Sequence, residues 1–435
     1  MISLPQCLPD WLETGLRRPV AVFGWGRSGK AAASLVAKLE GEAIVYDEGG
    51  HGSACPTFDE EAARQHALVV CSPAFDSGHP WMKAARDADC ELIAEFDLGA
   101  LLWEGPIVAV TGTNGKTTLT AFLTEAFQQS GIESYALGNI GKPMCEALVE
   151  EVNREAVAVC EISSFQAEQM RSFRADHVLW TNFDEDHLDR HQTMQSYFRS
   201  KYSLISNARG ETKLVDRSVF EYGKRIGVDF PESSVVSDND DPERLGLVGT
   251  VFETQPELRT YSMARALWKS LQLDEAALVR AANAFRKSPH RIERLNEVEG
   301  VVYWNDSKAT NFHAVYGALD RFQEPVFWIG GGKDKGGDLD AFVHRIAPKI
   351  ACAATIGETG PRLAASLNAE GVDAVMFDSL EAAASYLNRR AKSGDNVLLS
   401  PGFASFDMFK GYEERGEVFR KAVDCLQSER SMNDV

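Results

Sequence analysis

Apolar runs of four to six residues recur along this chain. Each is followed by a turn rich in glycine, serine or acidic residues, and then by an alanine- or leucine-rich stretch with helical spacing. The first such unit opens with Pro19-Val20-Ala21-Val22-Phe23 and the turn Gly24-Trp25-Gly26-Arg27-Ser28-Gly29. A helix over Lys30–Leu39 follows, then strands Ala43–Tyr46, ending at Asp47, and Ala67–Cys71, ending at Ser72-Pro73. The second unit begins at Pro106–Val110, continues as a helix to about Ser130, and adds strands at Ala156–Glu161 and His177–Asn182. The Lys213–Glu257 stretch is polar, broken by Pro, Gly, Asp and Asn, and carries the acidic cluster Asp238-Asn239-Asp240-Asp241, so surface loops and short strands are expected there. An alanine-rich helix pair over Tyr261–Phe285 leads to a hinge at Ser288-Pro289-His290. The third unit has strands at Val301–Trp304, Val326–Ile329, Ala353–Ile356, Ala374–Phe377 and Asn396–Leu399. Strand and helix alternation of this kind predicts three α/β domains, at residues 1–98, 99–288 and 289–435.

Composition narrows the function classes. A chain of 435 residues exceeds one ordinary core, and 44% hydrophobic with 25% charged residues is the make-up of a globular protein. A formal charge of −19 argues against nucleic acid or an anionic membrane as partner, since both are themselves negative. The eight cysteines form no C-x-x-C pair and no zinc-like spacing, and are expected to be reduced and structural. The opening M-I-S-L-P-Q-C-L-P-D-W has no basic segment leading into an apolar core, and no run of about 18 apolar residues occurs, so a cytoplasmic protein is expected.

The chemistry concentrates after the second unit's first strand, in Gly112-Thr113-Asn114-Gly115-Lys116-Thr117-Thr118. A strand, a glycine turn and a helix in register make an anion grip. The glycines let backbone amides face a phosphate, the helix N-terminus adds its dipole, Lys116 neutralises phosphate charge, and the Thr117 hydroxyl suits Mg²⁺. Val110 stands where the long form of such a loop carries its first glycine, so the match is to a shortened G-x-x-G-K-T. Glu161 ends a strand, where a carboxylate in an open α/β sheet faces the ligand crevice, although taken alone a surface Glu at a strand end is the commoner case. Asp184-Glu185-Asp186-His187 ends another; hard cations take carboxylates, and a second ion could recruit His187, although the same acids would equally favour a helix N-terminus. Lys201 has no motif of its own, and on composition it is a solvated lysine. The first turn, G-W-G-R-S-G, fits G-x-G-x-x-G, but alone this is a weak dinucleotide signal beside the stronger downstream loop.

Seven segments, G-T-N-G-K-T-T, E-I-S-S-F-Q, D-H-L-D-R-H, H-R-I-E, N-D-S-K-A-T-N, G-G-K-D-K-G-G-D and L-S-P-G-F-A-S-F-D-M-F-K, together resemble the Mur ligases of peptidoglycan synthesis over essentially the whole chain. The resemblance implies a Rossmann-like N-terminal domain for a UDP-sugar. It also implies a central P-loop-type ATPase domain on a mostly parallel sheet, and a Rossmann-like C-terminal domain for an amino acid. Asn305–Asn311 points within the family to the members that add D-glutamate to UDP-N-acetylmuramoyl-L-alanine through an acyl phosphate. By position, Gly112–Thr118 would hold ATP, with Thr117 and Glu161 on one Mg²⁺ and His187 on a second, and Lys201 would be the lysine that is carbamylated. Asn139 would contact the nucleotide substrate, as would Arg27, Ser28, Asp47 and Ser72. Arg291 and Asp306 would contact ATP, Lys308 would steady the acyl phosphate, and Thr310, Lys335, Ser405 and Tyr412 would bind the amino acid. Lys116, His187, Lys201 and Lys308 are thus the expected catalytic set, and a monomer is expected. Three positions depart from the family pattern. Leu258–Ala264 lacks the family's H-N-x-x-N, Tyr412 stands where phenylalanine is frequent, and Ser400-Pro401-Gly402-Phe403-Ala404 replaces S-P-A-C-A. The residues leave open an L-glutamate ligase, a related amide ligase on another carboxylate, or a degenerate nucleotide-binding scaffold.

Overall fold

The computed structural model describes residues 8–431 apart from 74, 76, 77, 238, 239 and 288. The opening heptapeptide with Cys7, the Asp238-Asn239 pair and Ser288 of the expected hinge lie outside the described residues.

Three sheets carry the fold. In the first, β1 (Val20–Phe23), β2 (Ala43–Tyr46), β3 (Leu68–Cys71) and β4 (Glu91–Ala94) run parallel in the order β2-β1-β3-β4. The second holds β5 (Ile107–Thr111), β6 (Ser134–Gly138), β7 (Val157–Glu161), β8 (His177–Trp180) and β9 (Thr212–Val215), all parallel, in the order β6-β7-β5-β8-β9. The third comprises β10 (Glu293–Val298), β11 (Val301–Asn305), β12 (Val326–Gly331), β13 (Ile350–Ile356), β14 (Ala374–Phe377) and β15 (Asn396–Leu399), in the order β10-β11-β15-β12-β13-β14. Only β10 is antiparallel to its neighbour there. The unbroken apolar runs follow from this arrangement: β1, β3 and β5 are buried at every residue, as parallel strands covered on both faces must be. Aromatic residues fill the cores, with Phe23, Phe58 and Trp81 on the first sheet, Phe122, Phe252 and Trp268 on the second, and Trp328 and Phe342 on the third.

By contact density the chain forms two compact units, residues 1–183 with 195–285, and 184–194 with 286–435. The first two sheets share one unit. Segment Asp184–Met194 joins the second, anchored by the bonds of Asp186 to Asn311 and Lys335.

Several elements differ from the sequence reading. The helix expected over Lys30–Leu39 spans Arg27–Lys38, so Arg27 and Ser28 lie in its first turn rather than in the preceding loop. The polar stretch after Lys213 contains a helix, Arg217–Arg225, capped by Asp216, whose side chain accepts from Ser218 N. Four strands, β4, β6, β9 and β10, were not anticipated, and each is an outer strand of its sheet. Seven cysteines are described, all unpaired; Cys55 and Cys425 are exposed, which a structural role does not account for. Among the described residues no helix is long and apolar enough to cross a membrane.

Candidate active site

The phosphate loop leaves the carboxyl end of β5, which is flanked by β7 and β8, and enters the helix Lys116–Gln129. Gly112 and Gly115 have φ of +144° and +80°, a region that side chains rarely tolerate. A Cβ on Gly112 would also stand 1.9 Å from Thr181 Oγ1. The loop is braced from the end of β8. Asn182 Oδ1 accepts from Thr113 N (3.1 Å) and Asn114 N (2.8 Å), Asn182 Nδ2 donates to Asn114 O (3.2 Å), and Thr181 Oγ1 donates to the same carbonyl (2.5 Å). Lys116 Nζ donates to Gly112 O and Thr113 O, both at 2.8 Å, which keeps the ammonium over the loop.

Glu161, the last residue of β7, is paired in register with Val110 of β5 and Gly138 of β6. It is 2% exposed. Its Oε1 accepts from Asn139 Nδ2 at 2.7 Å, and its Oε2 is buried with no hydrogen-bond partner. Lys201, on the helix Met194–Ser206, is 1% exposed, against the solvated lysine that composition suggested. Its Nζ donates to Gly112 O (2.9 Å), lies 3.5 Å from Thr111 Oγ1, and stacks on the Tyr197 ring. The carboxyl ends of β5, β6 and β7 thus gather Gly112–Thr118, Asn139, Glu161 and Lys201 around one point. Among the described residues no group of three or more His, Cys, Asp or Glu side chains is placed so as to hold a metal ion by itself. A buried carboxylate oxygen without a partner suits a cation that draws its other ligands from phosphates, a hydroxyl and water, which is the habit of Mg²⁺.

At the carboxyl end of the first sheet stand Asp47 after β2, Ser72 after β3, and Arg27 and Ser28 after β1. Asp47 accepts from Trp25 N (2.9 Å) and pairs with His51 (2.6 Å); the bond from His51, then that from Trp25, hold its carboxyl below the ordinary range. Arg27 donates to Gly141 O and forms a two-pronged bond to Glu146, so it ties the first sheet's helix to the segment after β6.

In the second unit, Asp186 is the best-defined of the acidic cluster. Lys335 Nζ donates to its Oδ1 (2.8 Å), Asn311 Nδ2 to its Oδ2 (3.0 Å), and the His187 ring lies 3.5 Å away. Burial alone would raise this carboxyl, but Lys335, His187 and the donated bonds outweigh it and hold it at about 2. His187 itself has φ of +54° at the head of the short helix Leu188–His191. These side chains, with Thr310, Phe312, Gly402 and Phe403, line a small cleft. Lys335 and Thr310 therefore share the cleft, whereas Ser405 and Tyr412 are not among the residues lining it.

A second cluster gathers at the ends of β11 and β15. Asp306 accepts from Ile292 N (3.1 Å) and Ser400 Oγ (2.8 Å), and burial pushes its carboxyl up to about 7. Arg291 immediately precedes Ile292 in the chain. Lys308 N donates to His290 O (3.1 Å), and Lys308 Nζ lies 3.6 Å from the centre of the Tyr412 ring.

Three residues were missed. Asn182 lay in the predicted strand end but carried no chemistry there. Asn311 was only the last letter of N-D-S-K-A-T-N, and its partner Asp186 stood in the sequence only as one acid of the Asp184–His187 cluster. Arg415, wholly buried, gave no signal in G-Y-E-E-R-G.

Comparison with known proteins accords with this geometry. A family model described as the Mur ligase middle domain matches residues 110–227, and one described as the Mur ligase, glutamate ligase domain matches 290–403. The UDP-N-acetylmuramoylalanine–D-glutamate ligase of Aquifex aeolicus is 34% identical over 417 residues, covering 93% of this chain and 98% of its own. That of Caldanaerobacter subterraneus is 32% identical, covering 94% and 98%. Among solved structures, UDP-N-acetylmuramate–alanine ligase from Thermotoga maritima superposes with a TM-score of 0.55 at 14% identity, covering 95% of this chain and 100% of that one. MurF ligase from the same organism, in complex with ADP, gives 0.55 at 16%, covering 86% and 98%. At these identities the structures speak to the fold alone.

Proposed function

The chain belongs to the Mur ligase family, and from that premise we propose that it is the ATP-dependent, ADP-forming ligase that joins D-glutamate to UDP-N-acetylmuramoyl-L-alanine in peptidoglycan precursor synthesis. The observation that carries this reading is the partnerless, buried Glu161 carboxylate oxygen on the strand beside a lysine-bearing phosphate loop.

ATP and both substrates are anionic, so charge must first be neutralised. The amides at the start of the helix Lys116–Gln129 and the Lys116 ammonium take up the triphosphate. The Thr117 hydroxyl and the Glu161 carboxylate would hold Mg²⁺, which would supply further positive charge at the transferring phosphoryl group, and His187 would ligate a second ion. The substrate carboxylate attacks the γ-phosphorus; an acyl O–P bond forms and the bond to the β-phosphate oxygen breaks, releasing ADP. Such a transfer depends on positioning and electrostatics rather than on a protein nucleophile. The amine of glutamate then attacks the carbonyl, sheds a proton, and expels phosphate. Lys308 would hold the acyl phosphate's charge, while Thr310, Lys335, Ser405 and Tyr412 would take the amino acid. Arg291 and Asp306 would meet ATP, and Arg27, Ser28, Asp47, Ser72 and Asn139 the UDP-sugar. This assignment divides the chain into UDP-sugar (1–98), ATP (99–288) and amino-acid (289–435) domains. Lys201 is proposed to be carbamylated: a deeply buried ammonium is costly, and carbon dioxide would convert it to a carboxylate-like ligand.

The test is a ligation assay with the UDP-sugar substrate, MgATP and a panel of amino acids. Amide product with D-glutamate, little with L-glutamate, and none without ATP is expected. Preference for another amino acid would overturn the substrate assignment, and absence of any product would overturn the reaction.

A further inference from the structure

Arg415 is an unusual charge. It lies in the helix Tyr412–Ser431, is 0% exposed, and among the described residues has no carboxylate within ion-pair distance. Burying a guanidinium without an ion pair is expensive unless its donors are well used. They are used on two loops at once. Nε donates to Ser307 Oγ (3.0 Å), Nη2 to Ser307 O (2.8 Å), and Nη1 to Phe403 O (3.1 Å). Ser307 Oγ in turn donates to Tyr412 O (2.8 Å), and Gly402 N donates to Ala309 O (2.9 Å). The residue after Ser307 is Lys308, whose ammonium lies on the Tyr412 ring; Phe403 and Gly402 wall the cleft that contains Lys335 and Asp186.

We propose that Arg415 is a positioning residue for the amide-forming half of the reaction, its planar fork setting Lys308 and the Gly402–Phe403 wall in one arrangement. The proposal rests on the reading above that Lys308 steadies the acyl phosphate. A planar fork is required because the three acceptors belong to two separate loops and are reached by three N–H groups in fixed directions. A lysine would carry the same charge to one point and could not span them. An apolar residue would fill the space but strand the buried Ser307 and Phe403 carbonyls. Ser307 transmits the setting, since its hydroxyl is gripped by Arg415 and itself grips the backbone of Tyr412, under whose ring the lysine is held.

The test compares full-length Arg415→Lys and Ser307→Ala with the parent chain, with thermal midpoints recorded. For Arg415→Lys, kcat should fall about tenfold or more and the KM for glutamate should rise about fivefold, while the KM values for ATP and the UDP-sugar stay within about twofold. Ser307→Ala, which removes only the hydroxyl, should show the same split at smaller size, and it decides the matter if Arg415→Lys fails to fold. Parameters all near those of the parent, or a fall in kcat with all three KM values unchanged, would overturn the proposal, the latter being the mark of lost active protein. Lys308→Ala separates the two readings. If it turns over normally, the role of Lys308 fails and this proposal with it; if it is inactive while Arg415→Lys is normal, only this proposal fails.

Discussion

Glu161 and Asp186 are both buried carboxylates, yet their surroundings give them opposite tasks. One oxygen of Glu161 has no partner, whereas both oxygens of Asp186 are bonded. Glu161→Gln keeps the side chain's shape and removes the charge. It should lower turnover by about 100-fold or more and leave the thermal midpoint unchanged or raised, because an uncompensated buried charge is lost. Steady-state assays with calorimetry check this, and a large loss of stability would mean that the charge is structural. Asp186 is held at about 2, below its ordinary 3.8, so its contribution is fully present above about pH 4 and is lost as pH falls through about 2. Asp186→Asn should therefore cost roughly 2 kcal/mol near neutrality, and the gap from the parent should close towards pH 2 in denaturant titrations. Lys201→Ala should be nearly inactive and partly restored by short carboxylic acids; if neither acid rescue nor bicarbonate depletion has an effect, the carbamate assignment falls.

At the scale of elements, the phosphate loop is held by its neighbour strand rather than by itself. Asn182, just beyond β8, takes two loop amides and returns one bond. Asn182→Ala should raise the KM for ATP several-fold and cost about 1–3 kcal/mol of stability, and kinetics that vary ATP against a fixed UDP-sugar concentration will show it. An unchanged KM for ATP would mean the loop keeps its shape unaided. The same scale explains what the sequence made legible. Inner parallel strands such as β1, β5 and β15 must be apolar on both faces, so they read as uninterrupted runs. The unanticipated strands β4, β6, β9 and β10 are sheet edges, less fully covered, and Glu293–Val298 carries polar residues at four of its six positions, Glu293, Arg294, Asn296 and Glu297. The phosphate loop was readable because strand, glycines and helix are contiguous in the chain. Arg415's bonds to Ser307 span 108 residues, and those of Asp186 to Asn311 span 125, so no local pattern marks them.

Across the whole molecule, the negative charge of −19 and the anionic substrates make local neutralisation the central requirement. The phosphate loop, Glu161 and Lys201 lie in one compact unit, and Lys308, Asp306 and Lys335 in the other. The proposed reaction runs in two steps, phosphoryl transfer to the carboxylate and then attack by the amine. The most direct test follows an oxygen atom. With the UDP-sugar substrate's terminal carboxylate labelled with ¹⁸O, transfer of the γ-phosphoryl group of ATP to that carboxylate, followed by amine attack on the acyl phosphate, leaves one labelled oxygen in the inorganic phosphate released during ligation. Detection of that single label by ³¹P resonance shifts is the predicted result, and amide product accompanied by wholly unlabelled phosphate would contradict it.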